Sequence, residues 1–236
     1  MSNFNKNSDS KTIIMTYENI RIIENPELLV NARQPEGKLG SELIDKMNIN
    51  HEGLAQWSLS HLDISEKDVI LDIGCGGGVN VDRFLKISDS KVYGLDYSKV
   101  ACKKSALLNE DAICEGRCEI IQGSVSDLPF DDDSIDIATA FETVYFWPDF
   151  VNDLKEVRRV LRDNGKLFIA NEALPKENDA RQKELVELLD MKIYSQYELE
   201  QSLREAGFSN IVSYVKKSRD SFTGGDADWI CVIARK

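Results

Sequence analysis

The sequence predicts an α/β fold: a doubly wound, mostly parallel, seven-stranded sheet with an antiparallel last strand, preceded by an N-terminal helical lid. Three observations carry this expectation. From residue 69 onward, short apolar runs alternate with amphipathic segments. The first apolar run leads straight into a glycine-rich turn, "DIGCGGGVN". The last two apolar runs are joined by only about ten residues, too few for a helical crossover, so they form an antiparallel hairpin.

Taken in order, "DVILDIG" reads as a buried strand and "VNVDRFLKI" as the helix behind the turn. "KVYGLDYS" is a second strand, and "SKVACKKSALLNE" a helix that Ser98 caps. "CEIIQGSV" and "IDIATAFE" are the third and fourth strands. In "DFVNDLKEVRRVLRDNGK", Phe150, Leu154, Val157 and Leu161 recur at spacings of 4, 3 and 4, and Asn164-Gly165 marks the helix stop. "KLFIANE" is the fifth strand. Ser195 caps "YELEQSLREAGF", in which Leu199, Leu203 and Ala206 share a side and Gly207 ends the helix. "NIVSYVK" and "DWICVIARK" form the closing hairpin around "SRDSFTGGDA".

Residues 1–10 are polar and read as a disordered N-terminus, 11–64 as a helical lid, and 65–236 as the main domain, with 173–194 a second lid segment inserted in it. No apolar run approaches the roughly 18 residues needed to span a bilayer, and no secretory segment opens the chain, so a cytoplasmic protein without a membrane partner is expected. The 42% hydrophobic content is enough for a packed core. With 29 Lys and Arg against 41 Asp and Glu, the net charge of −12 disfavours a nucleic-acid partner. The five cysteines follow no disulfide framework. Cys114 and Cys118 have no second ligand pair, and Asp131–Asp133 reads as a solvated turn, so no metal site is expected.

A strand entering a glycine turn and then a helix aims backbone N–H groups at a ligand. The dinucleotide fingerprint G-x-G-x-x-G needs a third glycine at 79, where Val79 stands. "ILDIGCGGG", with Asp72 two residues before Gly74, resembles motif I of the class I S-adenosylmethionine-dependent methyltransferases. "GSVSDLPFDDDSIDIATAFE" resembles the third and fourth motifs of that family, and "LREAGFSN" with "WICVIARK" its end, so the resemblance covers roughly residues 65 to 236.

The resemblance implies S-adenosylmethionine as cofactor and a small-molecule methyl acceptor; it says nothing of oligomeric state. Its implied cofactor residues are Gly74, Gly76 and Gly78 beside the methionine moiety, with Asp72 orienting the amino group through the backbone or a water. Asp96 would hold the ribose with Tyr97 next to it, Ser124 and the N–H of Val125 would read the adenine, and the backbone of Phe141 would complete the methionine end. Ser124 stands where the family carries an aspartate, a departure that weakens the adenine acceptor; Asp127 is a candidate to compensate.

The acceptor pocket is expected between the lid and "AFETVYFWPDF", a segment unlike the N/D-P-P-Y/F of nucleobase amino methyltransferases. Glu142 is a candidate base or cation-binding group, and Tyr145, Phe146 and Trp147 form either a pocket wall or lid packing. Ile44, Met47, His51, Leu54 and Ser58 fall on one helical stripe, which makes His51 either a hydrogen-bonded core residue or a pocket residue. His51, Glu142 and Tyr145 are therefore the catalytic candidates. A nucleotide (NAD)-dependent oxidoreductase and a non-catalytic S-adenosylmethionine-binding protein are the alternative readings.

Overall fold

The computed structural model describes residues 29–219 and 225–236. The expected disordered N-terminus, the lid up to residue 28 and part of the "SRDSFTGGDA" connection lie outside the described residues. Seven strands form one sheet: β1 (Ile70–Ile73), β2 (Val92–Asp96), β3 (Cys118–Gln122), β4 (Ile135–Phe141), β5 (Leu161–Asn171), β6 (Ser209–Arg219) and β7 (Asp226–Arg235). Their spatial order is β3-β2-β1-β4-β5-β7-β6.

β1 is buried along its whole length because it pairs in parallel with both β2 and β4. The strand order reverses there, and in open α/β sheets the ligand crevice lies beyond the carboxyl ends of the strands at such a point. The glycine turn, Asp96 and Phe141 leave the sheet at that edge.

Helices α1 (Gly37–Asn50), α2 (Glu52–Leu59), α3 (Val79–Leu85), α4 (Lys99–Leu108), α5 (Glu110–Cys114), α6 (Phe150–Val160), α7 (Ala180–Leu189) and α8 (Gln196–Glu205) cover the sheet and its carboxyl edge. One core layer gathers Leu154 and Val157 of α6 with Leu199 and Leu203 of α8. The other gathers Leu54 of α2 with Val81 and Phe84 of α3 and Phe168 of β5. A third, small cluster joins Leu29, Leu43 and Leu189, with Met47, Phe146, Leu185 and Met191 packed against it. The early helices and the 173–194 insertion thus meet over the strand ends.

The caps act locally, as expected. The hydroxyl of Ser98 accepts from Ala101 N at 3.2 Å and also donates to Pro35 O at 2.5 Å, tying α4 to the lid. Ser195 and Glu198 complete a reciprocal capping box at α8.

Two expectations need correction, the end of α6 and the continuity of the helix through His51. α6 ends at Val160, four residues before Asn164-Gly165, because Leu161 pairs with Ile135 as the first residue of β5. Leu161 is buried in either setting, so its place on the helical stripe could not separate the two. Asn164 instead takes a left-handed conformation (φ 63°) inside β5. The closing hairpin is antiparallel as expected: β7, the last strand, inserts between β5 and β6, pairing antiparallel with both, and β6 is outermost. The helical stripe through His51 is broken there into α1 and α2, although the hydrogen bonds run on, His51 N to Met47 O and Ala55 N to His51 O, both 2.9 Å.

Replacing Ser195 by Ala removes one side of the capping box and should cost about 1 kcal/mol of stability. Urea unfolding should register that loss; unaltered stability would show that the cap is dispensable.

Candidate active site

Two adjoining cavities occupy the carboxyl edge of the sheet. The first is a cleft of about 100 Å³ bounded by the glycine turn, Asp96, Tyr97, Phe141 and the face of α1 carrying Ile44 and Asn48. The second, of about 200 Å³, lies under the lid and is lined mainly by apolar side chains, among them Leu29, Leu185, Leu189 and Met191. Ala32, Met47, His51, Glu142 and Phe146 belong to both walls.

The glycines of the turn have separate tasks. A Cβ at Gly74 would overlap Thr143, one at Gly77 would overlap Asn48 and Ile44 of α1, and one at Gly78 would overlap Ser105 and Asn109 of α4. Only at Gly76 does a Cβ meet open space, and Gly76 has φ 52°, in the left-handed region. Gly74, Gly76 and Gly77 all lie on the cleft wall, and of these only Gly76 has open space where a Cβ would stand. Gly78 does not line the cleft; its bareness serves helix packing.

Asp96 is buried and accepts backbone N–H bonds from Gly76 (2.9 Å, Oδ2) and Ser98 (2.8 Å, Oδ1). One bond to each oxygen leaves a second acceptor position on each, which suits a vicinal diol. Burial raises its pKa, and the two N–H groups pull the other way. Asp72 lies beneath the turn, 2% exposed, and accepts from the Thr139 hydroxyl at 2.7 Å. It is not on the cleft wall. Burial pushes Asp72 up to about 7, the Thr139 hydrogen bond acting against and the nearby Asp96 charge with it. Cys75 is buried on the cleft wall with its thiol pushed up by burial and by Asp96 and Asp72, which keeps it protonated.

At the adenine end the sequence candidates divide. Tyr97 lies between the cleft and a shallow hollow whose other walls include Pro35, Gly37 and Gln122. Ser124 is exposed, its hydroxyl accepts from Ser126 N at 3.2 Å within its own turn, and Val125 packs into the core. Neither lines the cleft, and Asp127 beside them is exposed.

At the junction of the cavities, His51 from the α1–α2 corner, Glu142 after β4 and Glu172 after β5 each bring one polar atom within 4.8 Å of the others. His51 Nε2 lies 3.8 Å from Glu172 Oε1, with the side chains 17% and 3% exposed. Burial lowers His51 to about 4, so its imidazole is neutral at pH 7. Glu142 has φ 56°, a left-handed conformation that costs a non-glycine residue on the order of 1 kcal/mol and here turns its side chain toward the cavity. Its Oε1 accepts from the Tyr145 hydroxyl at 3.3 Å and from the backbone N–H of Glu172. Tyr145 is buried, and burial together with Glu142 and Glu172 holds it well above its ordinary value, as a neutral donor.

Tyr145 and Phe146 are cavity residues, whereas Trp147 packs against Phe150 in the core, ring centroids 5.8 Å apart. Glu172 escaped the sequence reading. Its one signal was an acid ending the fifth strand, at the same sheet edge as Glu142. Asp131–Asp133 is an exposed turn in which Asp132 pairs with Arg159 and Asp133 with Lys236, each at 2.7 Å.

Residues 71–169 match the family profile described as "Methyltransferase domain". The chain is 30% identical over 169 residues, 70% of its length, to the O-methyltransferase resE of Aspergillus sclerotiorum, 63% of which is covered. The profile describes a methyltransferase domain, and this relative is named as a methyltransferase. Among solved structures it resembles a methyltransferase in complex with the Trm112 activator of Haloferax volcanii (22% identity, TM-score 0.68, 81% of this chain and 92% of that one). It also resembles the geranyl diphosphate C-methyltransferase of Streptomyces coelicolor A3(2), solved with Mg2+, geranyl diphosphate and S-adenosyl-L-homocysteine (15% identity, TM-score 0.66, 86% and 85%). These two likenesses concern the fold. The chain spans 63, 48 and 34% of the length of three curated relatives that it matches. Among the described residues, no helix is long and apolar enough to cross a membrane.

The pKa of Asp72 has a consequence for stability. Its carboxyl titrates near 3.8 in the unfolded chain and about 7 in the fold, so the fold holds the extra proton between these values. Stability from this group is therefore full below about pH 4 and lost as pH rises toward about 7. Asp72→Asn removes the dependence, and its stability relative to the wild type should climb across that range by an amount on the order of a few kcal/mol. Parallel unfolding curves of the two proteins from pH 4 to 8 test this; a constant difference would refute the raised pKa.

Proposed function

We propose that the protein transfers the methyl group of S-adenosylmethionine to a small, largely apolar acceptor held under the lid. The observation that carries this reading is the shared wall of Met47, His51, Glu142 and Phe146, which makes the cofactor cleft and the apolar cavity meet at one place. A sulfonium cofactor supplies an already activated methyl group, so the chain's task is alignment, exclusion of water and removal of a proton.

In this reading, Asp96 accepts from the ribose hydroxyls through the acceptor positions that Gly76 and Ser98 leave open. The open space before Gly76 admits the methionine end, beside Gly74 and the backbone of Phe141, with Asp72 bracing the turn from below. Tyr97 and the hollow next to it take the adenine, which gives Pro35 and Gly37 of the lid a part in binding. Ser124 and Val125 reach the base only after their turn rearranges, since Ser124 now bonds its own segment. The lid excludes water, and Glu142, Glu172 and His51 offer three groups to receive or pass on a proton, while Tyr145 positions Glu142.

The second reading, a binding protein without catalysis, would suit a lid packed shut. The cavity of about 200 Å³ beside the cleft speaks for an acceptor.

Calorimetry should find S-adenosylhomocysteine binding and no NADH binding, and Asp96→Ala should weaken the former by about 100-fold, two ribose hydrogen bonds to a charged group being lost. Leu185→Trp fills the acceptor cavity without touching the cleft. It should leave S-adenosylhomocysteine affinity unchanged and suppress transfer of labelled methyl groups to small molecules of a cell extract. Equal transfer by both proteins would place the acceptor elsewhere.

A further inference from the structure

Building on the methyltransferase reading, we infer that Arg83 anchors the α-carboxylate of the cofactor's methionine moiety and so makes the cleft select a nucleoside that carries the whole amino acid. That carboxylate is the cofactor's anionic group, and taking it out of water calls for charge-assisted hydrogen bonds. The glycine turn supplies few of them. The N–H groups of Gly74 and Cys75 both go to Leu95 O (2.7 and 3.0 Å), that of Gly78 goes to Cys75 O (2.9 Å), and that of Gly76 goes to Asp96 (2.9 Å). With these donors spent on the fold, the N–H of Gly77 is a poor match for the two oxygens of a carboxylate. A cationic side chain has to meet it.

Among the described residues lining the cleft, the cations are Arg33 and Arg83, His51 being neutral at pH 7. They stand at opposite ends. Arg33 belongs to the Tyr97 end: Pro35, two residues on, lines the hollow shared with Tyr97, and Arg33 itself pairs with Asp190 across the lid. Burial pushes Tyr97 up to about 12, with Asp96 adding to the rise and the Arg33 charge opposing it, so this guanidinium lies near the phenol. Arg83 belongs to the Phe141 end. The ring of its neighbour Phe84 lies 6.4 Å from that of Phe141, centroid to centroid, and Arg83 pairs with Glu52 of α2, the helix whose Ala55 is also on the cleft wall. With the ribose on Asp96 and the adenine toward Tyr97, the methionine chain runs toward Arg83.

The guanidinium is held in place without being used up. Its Nη1 donates to Asn80 Oδ1 at 2.6 Å, and its Nη2 donates to Glu52. A guanidinium has further N–H donors in its planar fork, enough for both oxygens of a second carboxylate. Glu52 is the outer and wetter partner, its side chain 43% exposed against 21% for Arg83, and its Oε1 also accepts from Gln56 at 2.6 Å. Asn80 and Glu52 thus fix the direction of a cation that lines the cleft.

The test is calorimetry on the full chain with two probes, S-adenosylhomocysteine and the same molecule without its carboxylate, 5′-deoxy-5′-(3-aminopropylthio)adenosine. The wild type should hold the first at least about ten-fold more tightly than the second. Arg83→Met should lower S-adenosylhomocysteine affinity by about ten-fold or more and leave the truncated probe bound no more weakly than before. Glu52→Gln removes the ion pair but keeps the guanidinium, and should leave S-adenosylhomocysteine affinity undiminished. Equal wild-type affinity for the two probes, undiminished S-adenosylhomocysteine binding by Arg83→Met, or a loss of both probes alike in that variant would overturn the inference. So would an equal loss in Glu52→Gln, which would make Arg83 a structural tie between α2 and α3. The wild-type comparison needs no substitution, so it decides even where Arg83→Met fails to fold. Failure of the wild type to bind S-adenosylhomocysteine at all would strike the methyltransferase reading instead.

Discussion

The carboxylate of Asp96 stands at the end of β2, inside the fold, where an ionised group is costly unless hydrogen bonds replace its water. The two backbone N–H groups that do so come from Gly76 in the glycine turn and Ser98 at the start of α4. Ser98 then uses its hydroxyl twice, accepting from Ala101 to start the helix and donating to Pro35 in the lid. One acid therefore holds the turn, the second strand, the following helix and the entry of the lid in a common geometry. Each oxygen keeps a further acceptor position on the group that organises the crevice.

The lid depends on this frame more than on a core of its own. Its cluster is small, centred on Leu29, Leu43 and Leu189, and is assembled from two segments well separated in the sequence. Polar links add to it: Arg33 pairs with Asp190, and Lys104 of α4 bonds Ser41 O (3.0 Å) and pairs with Asp45 (2.8 Å), both on α1. Among the described residues, α2 of the same segment packs Leu54 into the main core beside Val81 and Phe84.

The chemistry at the cavity junction follows from the sheet. β4 and β5 run parallel in neighbouring positions, so the residues that follow them, Glu142 and Glu172, emerge side by side at the carboxyl edge. The left-handed backbone at Glu142 is strain that the flanking structure supports through Glu142 N to Ala170 O (2.9 Å) and the Tyr145 and Glu172 bonds to its carboxylate. The fold supplies the strand ends, and the acids placed on them line the cavity junction.

Much of this was legible in the sequence because its causes are local. Strand and helix alternation, the Ser98 and Ser195 caps, the glycine turn after β1 and the closing hairpin each follow from the preferences of a few adjacent residues. The likeness of motif I and its companions pointed in the same way to the methyltransferase domain that the profile matches. Distant packing decided the rest. Gly76 faces open space while Gly74, Gly77 and Gly78 make room for Thr143, Asn48 and Ser105, a division that no spacing of glycines encodes. Phe146 reaches both cavities while Trp147 enters the core, one residue on in the same aromatic run. Glu172 became a site residue only when β5 was laid beside β4 and the α1–α2 corner was set over both. The sequence by itself determined the elements, because hydrogen-bonding and hydrophobic periodicity act within one segment; the convergence of His51, Glu142 and Glu172 was left to the tertiary structure, because it depends on three segments meeting.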